Sequence, residues 1–198
     1  MRELDFALLI PEKLVSVVEP MISCEQQFQD LLRASPGQLA FRDIAEMNLL
    51  CAHGLPGAEN MDVRTYLRIL GHWTKAIQEK CRRLLPHFRA NPESVGIPVG
   101  YSENFFRMVQ LGTSLKRDFG MRHDPRYRRP GKEAAYADIY HDCKYLLING
   151  LLSEKRIGSC NSIPVLVAAI GRRLGYQRKG VSGPLQLLKY DVNVKAPE

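Results

Sequence analysis

The sequence predicts an α+β chain, mostly α: a helical N-terminal region followed by a short core with a small antiparallel sheet. Three observations predict it. Between Val63 and Leu84, apolar residues recur in steps of three and four, the period of an amphipathic helix. A Gly158-Ser159-Cys160 turn opens onto the apolar run VLVAAIGRRLG, with Pro164 near its start and Gly175 at its end. Beyond that glycine the pattern shortens to two strand-like pieces around Gly183-Pro184.

Taken in order, Pro11 opens a helix running towards Ala34, with a kink expected at Pro20 and a stop at Ser35-Pro36-Gly37. A second helix is read over Leu39 to His53, from Leu39, Ile44, Met47, Leu50 and Cys51. Asp62 is a suitable N-cap for the third, which carries Val63, Tyr66, Leu67, Leu70, Trp73, Ile77, Cys81 and Leu84 on one stripe and exits at Asn91-Pro92. Ser102 caps a fourth, through Phe105, Phe106, Val109 and Leu115 to Gly120. A fifth is expected from about Glu133 to Asn149, stopped by Asn149-Gly150. The last helix follows Cys160, and short strands are expected over Tyr176 to Ser182 and Leu185 to Tyr190. The aromatic residues Tyr66, Trp73, Phe105 and Phe106 fall on helix stripes and read as core. The organisation is therefore 1–38, an N-terminal helical segment; 39–120, a helical region; and 121–198, the core, cut short after its second strand.

Composition bounds the function. With 198 residues the chain can build a real core. Its longest apolar runs are too short to span a bilayer, and its N-terminus is a poor signal peptide. Five scattered cysteines without a CxxC pair argue against a zinc knuckle or a disulfide framework, and for reduced thiols in the cytoplasm. The formal charge of +7 concentrates between Lys116 and Lys132, where seven basic and two acidic residues give +5. Prolines, glycines and aspartates interrupt that run, so a solvated loop is favoured over a nucleic-acid patch. His53, His72 and His87 lack metal-ligand spacing, and nucleotide-binding and serine-hydrolase motifs are absent, so no cofactor or metal is expected.

Cys160 is the candidate for chemistry. It precedes a helix start, where unbonded N–H groups carry partial positive charge, favour a thiolate and can receive an oxyanion. The plainer alternative is a small buried apolar residue, as most free cysteines are.

The stretch GSCNSIPVLVAAIGRRLGY resembles the nucleophile helix of the transglutaminase-like superfamily, and most of all the bacterial proteins of the SirB type. AEMNLLCAHGLPGAENMDVRTYLRIL, FFRMVQLGTSLKRDFGMRHDP and YLLINGLLSEKRIGSC are similar to the segments that lead into it, so the resemblance covers roughly residues 40 to 191. It implies a transglutaminase-like (papain-like) core in which a cysteine attacks a carbonyl, a histidine on the following strand moves the proton, and an Asp or Asn orients the histidine. By position, Cys160 matches the nucleophile, and the histidine position falls on Gln186, or on Leu185 with a shift of one. Asp191 and Asn193 are the candidates for the orienting residue. Neither glutamine nor leucine accepts a proton near neutral pH, so the usual activation fails. The resemblance then implies an impaired or inactive acyl-transfer or amide-hydrolysis site that binds a protein or peptide. The alternatives are an active enzyme with a relocated base, for which His141 and His123 are the candidates, and a helical interaction module using the basic loop.

Overall fold

The computed structural model describes residues 22–124 and 141–176. In order it contains α1 (Cys24–Arg33), α2 (Pro36–Phe41), α3 (Ile44–Ala52), α4 (Val63–Ala90) and α5 (Glu103–Thr113). A two-residue strand β1 (Arg122–His123) follows, then α6 (Ile148–Leu152), a second strand β2 (Ile157–Gly158) and α7 (Ser162–Arg173). The described residues are thus mostly helical with a small sheet, as expected.

The helices begin where side chains can satisfy the exposed amides of a first turn. Ser23, Ser35, Asp43, Asp62 and Ser102 each accept a backbone N–H at the start of α1 to α5 in turn. Three of these caps correct the sequence reading. Ile22 and Ser23 are not helical, so α1 starts at Cys24 rather than continuing from the Pro11 side. Ser35-Pro36-Gly37 does not merely end a helix. Ser35 and Gln38 form a reciprocal capping box, and Pro36 fills the first helical position of α2. The helix expected over Leu39 to His53 is accordingly two helices. Arg42 is extended, with ψ of 154°, because Asp43 captures the amides of Ala45 and Glu46 and starts α3 afresh.

α3 is the centre of the molecule. Ala45, Leu49, Leu50 and Ala52 are buried, and the helix touches α1, α4, α6 and α7. α4 lays Leu70, Trp73 and Ile77 against it, and α7 adds Ile163, Leu166, Val167 and Ile170 to the same hydrophobic cluster. A second, smaller cluster joins the end of α4 to α5, with Phe88 stacked on Phe106 at 4.8 Å between ring centroids. Trp73 and Phe106 are buried, while Tyr66 and Phe105 pack half-buried against these clusters, in keeping with their helical stripes.

α5 does not stop cleanly. Ser114–Asp118 continues it as a wider π turn, in which the N–H of Phe119 bonds the carbonyl of Ser114 at 3.0 Å. Gly120 then takes a left-handed φ of +69°, which closes the turn and sends the chain into β1.

The fifth expected helix, Glu133 to Asn149, is not continuous to its expected end. Residues 125–140 lie outside the described residues, and His141 sits in a turn. Cys143–Tyr145 is one turn of 3-10 helix, capped by Asp142. Asn149 and Gly150, expected as a stop, are inside α6. The reason is a close approach: a Cβ on Gly150 would stand 1.8 Å from the carbonyl oxygen of Lys144, so only glycine lets α6 fold back onto the 3-10 turn.

The sheet found among the described residues is also a correction. It is parallel, not antiparallel, with Arg122 opposite Ile157 and His123 opposite Gly158. The strands expected over Tyr176 to Ser182 and Leu185 to Tyr190 fall, beyond Tyr176 itself, outside the described residues. No helix among the described residues is long and apolar enough to cross a membrane.

Candidate functional site

The segment bearing Cys160 is held at both ends. On its N-terminal side, β2 is bonded to β1: the N–H of Arg122 donates to the Arg156 carbonyl at 2.8 Å, and that of Asp124 donates to the Gly158 carbonyl at 2.9 Å. β1 is itself positioned by a stack. Phe119 stacks on Trp73 with ring centroids 4.5 Å apart and planes nearly parallel, and the Arg156 guanidinium lies over the same indole at 4.7 Å. Arg156 adopts a φ of 54°, which turns the chain from α6 into β2.

At Gly158 the chain passes through a tight place. An added Cβ would meet Leu151 Cδ2 at 2.5 Å and Ser162 Oγ at 2.8 Å. The glycine before Ser159 and Cys160 is therefore required by packing between β2, α6 and the head of α7.

Ser159 is the true cap of α7. It is fully buried, and its Oγ accepts the N–H groups of Asn161 at 3.2 Å and Ser162 at 3.4 Å. In return the N–H of Ser159 donates to Ser162 Oγ at 2.9 Å, a serine version of the capping box. The Ser159 carbonyl accepts the N–H of Ile163 at 3.1 Å, the first bond of the helical ladder. Cys160 is thus the first residue after the cap. Regular helix is entered only at Ser162, because Pro164 has no N–H to bond the carbonyl of Cys160.

This arrangement keeps part of the expectation for Cys160 and corrects another part. The thiol is exposed, not sealed in the core, and stands at the positive end of α7. The amides expected to receive an oxyanion are, however, already engaged. Ser159 takes those of Asn161, Ser162 and Ile163, and Pro164 has none. The N–H of Cys160 itself is the donor of this turn that Ser159 leaves over. Among the described residues, the one hydrogen-bond contact of the sulfur is Asn161 Oδ1, at 3.9 Å.

At its far end α7 closes in a Schellman motif. Gly175, at φ +71°, donates to the Arg172 carbonyl at 3.0 Å, and Tyr176 donates to the Gly171 carbonyl at 2.9 Å. Gly175 is the terminating glycine the sequence indicated. Arg172 bonds the Ala40 carbonyl, and Arg173 pairs with Asp43 at 2.7 Å. Burial raises the Asp43 carboxyl, but the Arg173 bond and the amides of Glu46 and Ala45 outweigh it and hold the group below its usual range. Tyr176 meets Cys81 Sγ through its hydroxyl at 3.6 Å; burial pushes both groups up, and the contact adds to the rise of the phenol while opposing that of the Cys81 thiol.

Of the residues assigned to chemistry by sequence, Cys160 is described, while Gln186, Leu185, Asp191 and Asn193 lie outside the described residues. The basic positions Arg126, Arg128, Arg129 and Lys132 do as well. Of the two substitute imidazoles, His141 is exposed in the turn before the 3-10 segment. His123 is half-buried on β1, directly across from Gly158, with Nδ1 at 3.0 Å from the Asp124 carbonyl. Sequence reasoning did not single out Asp124 or Ser159. Asp124 is almost wholly buried beside the Cys160 approach, which is unusual for a carboxylate. The only signal for Ser159 was the serine pair three residues apart at a helix start. Among the described residues no cluster of metal-ligating side chains is found.

No protein-family model matches the chain, and neither does any curated protein or solved structure.

Proposed function

We propose that the chain is a transglutaminase-like cysteine-site protein in which Cys160 presents a thiol to a protein or peptide, with acyl transfer or amide hydrolysis impaired or lost. The observation that supports the reading is the exposed Cys160 thiol at the first position of a doubly capped helix. The impairment rests on sequence: the position matching the family's histidine carries Gln186 or Leu185, neither of which can take the thiol proton. Loss of such a base costs several orders of magnitude in turnover. All five cysteines are free, which fits a reducing compartment such as the cytoplasm.

The test compares thiols within one molecule. Iodoacetamide should modify Cys160 faster than Cys51, which is also exposed but whose thiol is pushed up by partial burial. A p-nitrophenyl ester should be turned over at a rate little above that of Cys160→Ala. A Cys160 that reacts no faster than Cys51 would remove the nucleophile from the proposal, and brisk turnover abolished by Cys160→Ala would remove the impairment.

A further inference from the structure

We draw no further inference here: the strongest candidate, the Cys160 thiol at the head of α7 with His123 across the β1–β2 pair, is a single cysteine at a helix start whose sulfur contacts only its neighbour Asn161 among the described residues, and no second observation points to a ligand there.

Discussion

Ser159 and Ser162 cap one another at the head of α7, the Ser159 N–H donating to Ser162 Oγ at 2.9 Å and the Ser162 N–H donating to Ser159 Oγ at 3.4 Å. Both are almost wholly excluded from water. Removing either hydroxyl therefore strands a buried amide as well as losing a bond. Ser159→Ala should cost about 1–2 kcal/mol, in the range of helix N-cap losses. Because the pair shares one network, Ser159→Ala with Ser162→Ala should cost less than the sum of the two, measured as shifts in the urea midpoint. Full additivity would show that the two serines act independently.

Gly158 is predicted to tolerate no side chain. Gly158→Ala places a methyl within 2.7 Å of two Leu151 side-chain carbons and 2.8 Å from Ser162 Oγ. Overpacking of this kind costs about 1–3 kcal/mol. Because the Leu151 atoms are the nearest obstacles, adding Leu151→Val should recover part of the loss. A thermal melt of Gly158→Ala equal to that of the unmodified chain would contradict the close packing of β2 on α6.

The ion pair of Asp43 with Arg173 ties the start of α3 to the end of α7, and it sets an acid dependence. The native carboxyl titrates below its unfolded value, so the pair contributes stability above that unfolded value, about pH 3.9. The contribution is lost as pH falls through the lower native value. Asp43→Asn should leave the α3 cap largely in place yet lower stability at pH 7, and the gap to the unmodified chain should narrow below about pH 4. Chemical denaturation at pH 7 and pH 3.5 checks it, and a gap that widens in acid would reverse the sign.

Leu49 is fully buried at the centre of the main cluster. Leu49→Ala should cost about 2–5 kcal/mol, the range for an aliphatic truncation in a packed core. The same change at exposed Leu55 should cost under about 0.5 kcal/mol. Urea titrations of the two variants provide the comparison.

Thiol labelling should follow exposure. Cys143 is buried, receives a bond from Asn149 Nδ2 at 3.3 Å, and has its thiol pushed up chiefly by burial. Brief iodoacetamide treatment at neutral pH, followed by peptide mass spectrometry, should label Cys160 and Cys51 and spare Cys143. Labelling of Cys143 at a rate matching Cys160 would mean that α6 opens readily.

Much of the helical frame was legible from local chemistry. The stripe from Val63 to Leu84, the caps Asp62 and Ser102, and the closing Gly175 each act within a few residues of their own position. The errors came where a local signal had two meanings. Ser35-Pro36 serves equally as a stop and as a start, and Asn149-Gly150 is a helix terminator until contact with Lys144 makes the glycine a packing requirement. The strands β1 and β2 are two residues each, too short for any alternation to register.

The site divides along the same line. Sequence by itself determined that a cysteine stands at the entrance to a helix beginning near Pro164 and ending at Gly175, since turn and capping preferences depend on neighbours in the chain. Only the tertiary structure decided that β1 runs parallel beside the cysteine's approach and that Asp124 is buried there. Those features depend on groups brought together by the packing of α3, α4 and α7 around one core, and a pattern of neighbours carries no record of them.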